Sequence, residues 1–487
     1  MFSLATEGGT VNLQLAKARR TMEKPGRLLT VLALGLGICG ARGAAQSLGG
    51  GTASTSTALD QRAQTALQLL KQGHEQDAVK LLVEGLRQDP SNQPMNALLA
   101  QVSFSRKDFG RAVAHYSKSP AVLAANPLLT VNYAEALFQT KSPADARRVL
   151  QSLPVDRADA QFEAGLLLAR FGEFLAAEEH FKLARNGYPK PEIAAYNLGL
   201  AQYSAGKFAE AVSTLEDMRR HGPVDEDTLN LLGEAYTEAG QTKRALDTLK
   251  EAIQKDPRDE RNYIAVAKLA VDQDLAAIGL ELLDQGLDYL PQSYPLLMQR
   301  GYLRLSQGQY TAAESDYRKA MQLQPASDSA KIGLAFVFLE SQRQPEAEAL
   351  LRQAIQSGPP NFFAQYLLGE LQIREGLNDE AAKHLQQSIA LQPRFPPAHT
   401  NLGKLYLKKS DAPNAVRELE AAIKLDPEDA TAYYQLSIAY RKTGKQEKAQ
   451  AALKHVKDLN QQQRDLGNTR FLTQRLRKLQ ASGLTPF

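Results

Sequence analysis

Small, large apolar and turn-forming residues recur along this chain with a period of 34. Pro189, Pro223, Pro257, Pro291, Pro325, Pro359, Pro393 and Pro427 follow one another at that interval without an insertion or deletion. Twelve residues before each proline stands a small side chain, in Ala177, Ala211, Ala245, Ala313, Ala347, Ala381 and Ala415, with Gly279 in the remaining copy. Four residues after the small position comes a large apolar one, in Phe181, Leu215, Leu249, Leu283, Tyr317, Leu351, Leu385 and Leu419. A glycine recurs ahead of the small position, in Gly172, Gly206, Gly240, Gly308 and Gly376. Fixed spacing of this kind marks an array of supersecondary units. Glycine tolerates positive φ and proline cannot continue a hydrogen-bond ladder. The glycine and the proline therefore each end an element, which suits a pair of helices per period with the glycine in the turn between them and the proline beyond the second. The small residue lets the second helix approach the first closely, where a larger group would displace backbone at a cost of about 1–3 kcal/mol. Each pair leaves one apolar face that only a stacked neighbour buries.

Residues 226–259 show the pattern most fully: Leu232 and Gly233 in the first helix, Tyr236 one turn on, Gly240 in the turn, Ala245, Leu249 and Ala252 in the second helix, and Pro257 after it. Looser copies precede and follow. Gly73, Ala78, Leu82 and Pro90 form one; Ala112 with Tyr116, and Ala146 with Leu150, mark two more, after which the period shortens once to 31. The last copy keeps Leu436, Tyr440, Gly444, Ala449 and Leu453, with Gln461 in place of the proline. The pattern resembles the tetratricopeptide repeat, although the family's early Trp is absent throughout and Tyr263 and Tyr433 stand in its place in two copies. The resemblance implies an all-α, right-handed superhelical solenoid of about twelve helix-turn-helix repeats over residues 59–463. A C-terminal capping helix and tail follow at 464–487, where Leu466, Phe471, Leu472, Leu476 and Leu479 form an apolar stripe.

In this family the first helices line a concave surface, and the resemblance carries that role to Phe162, Tyr196, Leu200, Tyr203, Met298, Tyr302, Phe336, Tyr366 and Tyr434, with Leu166, Ile264, Ile332 and Ile373 in the same stripe. So apolar a groove implies capture of extended peptides or amphipathic helices of other proteins. The family's basic, Asn-containing carboxylate clamp is not recognisable. Asn132, Asn197 and Asn401 share one register but are too sparse to form a ladder.

The first 45 residues depart from the repeats. Lys17, Arg19, Arg20, Lys24 and Arg27 precede an apolar run from Leu28 to Ile38, and Ala41, Gly43 and Ala45 supply small residues for cleavage. Residues 1–45 thus read as an N-terminal extension with a signal peptide, or as an uncleaved anchor through residues 28–40, with Met22 as an alternative start. Arg19-Arg20 resembles a twin-arginine signal apart from Glu23, and Leu36-Gly37-Ile38-Cys39 resembles a lipobox apart from Ile38. Residues 46–58, rich in Gly, Ser and Thr, read as a flexible linker. A periplasmic or secreted location follows from the export reading.

Composition narrows the chemistry. Across 487 residues, 43% hydrophobic and 23% charged side chains describe a folded chain, and a formal charge of +4 is too small for a dedicated nucleic-acid binder. The single cysteine, Cys39, excludes internal disulfides and Cys-built zinc sites. The seven histidines show no pair at the spacing of a helical zinc site and read as surface or groove residues. Glu418, Glu420 and Asp426 read as a solvated stripe. No catalytic constellation, cofactor site or metal site is recognisable, and the repeats leave no room for a separate catalytic domain. Between Arg441 and Lys478 basic residues outnumber acidic ones, which suits either a solvated cap or a docking patch for anionic lipid or polymer. The sequence therefore points to a non-catalytic interaction scaffold or assembly factor, resembling scaffolds of the bacterial cell envelope. The alternative is a polysaccharide- or lipid-binding adaptor in an export system.

Overall fold

The structure, a computed structural model, describes residues 52–466 apart from position 274. Among the described residues it contains 25 helices and no strand, in two compact units divided between residues 239 and 240. The first unit runs α1 (Thr52–Lys71), α2 (Glu75–Gln88), α3 (Gln93–Ser105), α4 (Phe109–Tyr116), α5 (Pro120–Ala125), α6 (Pro127–Gln139), α7 (Pro143–Gln151), α8 (Ala158–Arg170), α9 (Phe174–Ala184), α10 (Pro191–Ser204), α11 (Phe208–His221) and α12 (Glu226–Glu238). The second runs α13 (Thr242–Lys255), α14 (Glu260–Gln273), α15 (Ala276–Tyr289), α16 (Tyr294–Ser306), α17 (Tyr310–Leu323), α18 (Asp328–Glu340), α19 (Gln344–Ser357), α20 (Phe362–Glu375), α21 (Asn378–Leu391), α22 (Pro396–Lys408), α23 (Ala412–Leu425), α24 (Ala430–Lys442) and α25 (Gln446–Leu466). None of these helices is long and apolar enough to cross a membrane.

The expected punctuation is present. All eight prolines of the 34-residue series lie outside helices. Gly172, Gly206, Gly240, Gly308 and Gly376, with Gly73 and Gly444, have φ between 70° and 84°, the left-handed region that ends a helix without steric cost in glycine. Lys107, Lys141, Gln342 and Ser410 occupy the same register with φ of 59–61°, so the turn is made there without glycine. Its hydrogen bonds explain why. The amide after the left-handed residue donates five residues back, as in Lys207 to Gln202 at 2.8 Å, Arg343 to Phe338 at 2.7 Å and Asp411 to Tyr406 at 2.8 Å. These bonds satisfy carbonyls that the helix end would otherwise leave open. The shortened period falls in the stretch that holds α7, which has nine residues where second helices such as α13 have 14; α4, with eight, keeps the 34-residue period because the extra helix α5 follows it.

Close packing follows from a glycine register that complements the alanines. A β-carbon placed on Gly165 would meet the Phe181 ring at 2.6 Å, one on Gly199 would meet Leu215 at 2.8 Å, and one on Gly403 would meet Leu419 at 2.5 Å. The first helix of a pair therefore leaves a gap into which the large residue of the second helix inserts. Tyr317 lies against both Gly301 and Gly333 and is fully buried. Gly233, Tyr236 and Ala245 are buried in their own units, and Pro257 lies two residues past the end of α13.

Three boundaries read from the sequence meet the structure only in part. Residues 1–45 lie outside the described residues. Helix α1 begins at Thr52, inside the stretch read as linker, and α25 continues through 463 to Leu466, beyond which the capping segment lies outside the described residues.

Candidate functional site

Polar side chains join the helices at repeating separations. Nineteen residues apart, Asn96 meets His115 at 2.9 Å, Gln161 meets His180 at 2.6 Å, Gln365 meets His384 at 2.6 Å and His399 meets Glu418 at 2.8 Å. Each contact joins the first and second helix of one pair. Twenty residues apart, Tyr236 donates to Glu216, Arg304 to Asp284 at 3.4 Å, Gln386 to the Tyr406 hydroxyl at 3.2 Å and Tyr440 to Glu420 at 2.6 Å. These contacts join a second helix to the next first helix. At the register where the family carries Trp, Asn96, Tyr263 and His399 instead reach the carbonyls of Pro90, Pro257 and Pro393 at 3.0–3.1 Å. An amide, a phenol or an imidazole thus ties the start of the first helix to the preceding loop at this position.

These links correct the reading of the titratable groups. His180 and His399 are buried between helices, and so is Glu418; none belongs to a solvated stripe. Burial pushes the His180 imidazole down to about 4. The His399 hydrogen bond, helped by Arg417, holds the Glu418 carboxyl below the usual range. Glu178 is buried too, and although burial alone would raise it, Lys182 at 2.6 Å, Lys207 at 2.7 Å and Gln202 bring it down to about 2. In the second unit Asp316, 2% exposed, accepts from Arg300 at 2.6 Å and Arg304 at 2.9 Å, and both arginines reach on to Asp284. Among the described residues no group of three or more His, Cys, Asp or Glu is placed to hold a metal ion.

The first-helix stripe divides by burial. Phe162, Leu200, Met298, Tyr302, Phe336 and Tyr366, expected to line a groove, are buried. Within the second unit successive first helices touch, α14 with α16, α16 with α18, α18 with α20 and α20 with α22, and their apolar residues fill the seams. Phe336, Phe363, Tyr366 and Phe395 form such a cluster, with ring centroids 5.0–6.4 Å apart. Tyr196 and Tyr203 remain half-exposed, Tyr203 in an edge contact with Phe208, and Tyr434 is 47% exposed. The surface left for a ligand is therefore smaller than the sequence reading supposed and includes polar groups. Asn401 donates to the Tyr366 hydroxyl at 3.5 Å, and Lys404, one turn further along α22, is half-buried.

Family models described as tetratricopeptide repeat match residues 202–269, 304–371 and 400–463. Over those residues the chain carries tetratricopeptide repeats. Repeats of this type are generally non-catalytic platforms for binding other proteins. No curated protein matches the sequence. Among solved structures, a chain of the APC/C hetero-tetramer Cut9-Hcn1 aligns over 89% of this chain and 99% of its own, at 14% identity and a TM-score of 0.42. Yeast Tom70 aligns over 88% and 96%, at 18% identity and 0.44. A tetratricopeptide repeat protein from Parabacteroides merdae aligns over 51% and 98%, at 18% identity and 0.43.

Lys404 gives no apolar signal in the stripe of the first helices. The signal available was its register: it stands 34 residues after Glu370 and 34 before Ile438, at one position of three successive tetratricopeptide first helices.

Proposed function

We propose that this tetratricopeptide-repeat protein is a non-catalytic scaffold that gathers partner proteins in a bacterial cell envelope by binding extended peptides or amphipathic helices on its first-helix faces. The observation that carries the reading is the exposed ring of Tyr434, 47% exposed, with Tyr196 and Tyr203 partly exposed on another first helix. Aromatic anchors supply much of the affinity at protein interfaces. The envelope assignment rests on the basic-then-apolar pattern within residues 1–45. Site-specific photocrosslinking tests both parts. A crosslinker at position 203 or 434 is expected to trap defined proteins of the envelope fraction, and one at Leu183 on second helix α9 is not. Trapping only from position 183 would overturn the binding face, and recovery of the chain with residues 1–45 intact from the cytoplasm would overturn the envelope assignment.

A second reading, an adaptor for anionic lipid or polysaccharide, is favoured by Arg441, Lys442, Lys445, Lys448, Lys454 and Lys457, all exposed on α24 and α25 or the turn between them. Salt-sensitive binding to vesicles of anionic phospholipid, lost on reversing these charges, would support it over peptide capture.

A further inference from the structure

Asn186 and Gly187 form the one Asn-Gly pair in the chain; every other asparagine is followed by a residue that carries a side chain. Both lie exposed in the turn after α9, outside any helix. The Asn186 side chain makes no hydrogen bond with a described residue, so its carboxamide is free to swing onto the backbone that follows. Packing explains the glycine: a β-carbon at 187 would lie 3.1 Å from that of Ala158, the first residue of α8. The close approach of this turn to α8 therefore leaves the carboxamide beside a backbone nitrogen that no side chain shields.

Asparagine is chemically labile in such a setting. We propose that Asn186 is a site of spontaneous deamidation that ages the joint between α9 and α10. The Gly187 nitrogen, its proton given up to solvent base, attacks Asn186 Cγ. The N–Cγ bond forms, the Cγ–Nδ2 bond breaks, and ammonia leaves a cyclic succinimide. Water then opens the ring at Cγ to give aspartate, or at the main-chain carbonyl to give isoaspartate, whose chain runs through Cβ and Cγ and is longer by one methylene. The Gly187 amide donates to the Ala184 carbonyl at 3.1 Å, so attack waits on fraying of this turn. The same carbonyl accepts from the Tyr188 amide at 2.9 Å, and the Tyr188 ring stacks on Phe162 with centroids 4.1 Å apart. A methylene added between 186 and 187 takes these amides out of register with Ala184 and draws the ring off Phe162. The new carboxylate also stands beside Arg185, which pairs with Asp217 of α11.

Incubation of the full chain at mildly alkaline pH, followed by peptide mass mapping over time, tests this. The peptide that holds residues 186–187 should gain the mass difference between water and ammonia ahead of every other asparagine, with isoaspartate among its products. Gly187→Ala should slow the conversion about tenfold, the factor given by a barrier higher by ~1.4 kcal/mol. Asn186→Gln, which leaves the Ala158 contact untouched, should abolish it over the same period. Hydrogen exchange of the isolated isoaspartate form should show protection lost at the end of α9 and the start of α10 and kept in α2 and α3. A folded chain whose Asn186 stays intact while the chain in urea is converted, or another asparagine that reacts first, overturns the site. Unchanged exchange in the isoaspartate form overturns the ageing of the joint.

Discussion

Replacing Gly403 by alanine puts the helix-pairing argument to a test of sign. Inside a helix, glycine to alanine ordinarily stabilises by about 1 kcal/mol, because alanine loses less backbone entropy on folding. At position 403 the new methyl carbon would lie 2.5 Å from Leu419 Cγ, 2.9 Å from its Cδ2 and 3.2 Å from its Cδ1. Leu419 is fully buried, so its branch point has no free space to retreat into. Overpacking of that severity belongs near the top of the range of about 1–3 kcal/mol, and after the helix gain a net loss of about 2 kcal/mol is expected. Leu419→Ala alone should cost about 2–5 kcal/mol through its cavity. In that background the alanine at 403 no longer clashes and should recover about 1 kcal/mol, which gives a coupling of about 3 kcal/mol between the two sites. Because repeat arrays open in local units, the assay is hydrogen exchange of the α22 and α23 amides, read beside urea unfolding. Gly110 in α4, with nothing within 4 Å of its β-position, serves as control, and its alanine variant should not destabilise. Raised protection in Gly403→Ala, or the same effect with and without Leu419, would refute the reasoning.

Other outcomes follow from the turns and buried charges. Gln342→Gly should stabilise by about 0.5–1 kcal/mol, because the left-handed conformation costs a non-glycine residue about 1–2 kcal/mol, partly offset by glycine's larger unfolded entropy; denaturant titration of the paired variants decides it. His180, with its imidazole held down to about 4, binds no proton in the folded state between pH 6.5 and that value while the unfolded chain does. Stability should therefore be flat above pH 6.5 and fall by about 3 kcal/mol as pH drops toward 4. His180→Gln, which can still donate to Gln161, should lose that component of the acid dependence of α8 and α9 exchange, and an unchanged pH profile would count against it. Asp316→Asn leaves two arginines facing a neutral amide and should cost about 3–5 kcal/mol, whereas Asp284→Asn, at a side chain 53% exposed, should cost under about 1 kcal/mol by thermal unfolding.

The period, turns, helix ends and small-to-large contacts were legible because each depends on one residue type at one position. Lys107, Lys141, Gln342 and Ser410 were harder to read. They lack the glycine that betrays a left-handed residue, but the five-back hydrogen bond compensates the steric cost, and the 34-residue register alone marks them. The polar links were not legible. Whether His180 meets solvent or Gln161 depends on how two helices separated by a turn face each other, which spacing along one helix does not encode. The same limit explains the apolar stripe. Met298 and Tyr302 follow the helical repeat of a surface-lining face, yet contact between successive first helices turns that face into core. Lys404 was invisible for the converse reason: a lone lysine on a helix reads as solvated until its burial is known.

The polar separations of 19 and 20 residues also constrain how a gene for such a chain can grow. Duplicating or excising 34 codons keeps both links in register on either side of the splice, since one link lies inside a module and the other spans the joint. Any other length brings the wrong residues together somewhere, unless the change falls where neither link is anchored. The one irregular module obeys this rule: its deficit falls in the stretch that includes the short α7, leaving the turn at Lys141 and the Gln161–His180 contact in step. Length variation among descendants of this sequence should accordingly be counted in whole modules, with exceptions gathered at the trailing ends of second helices.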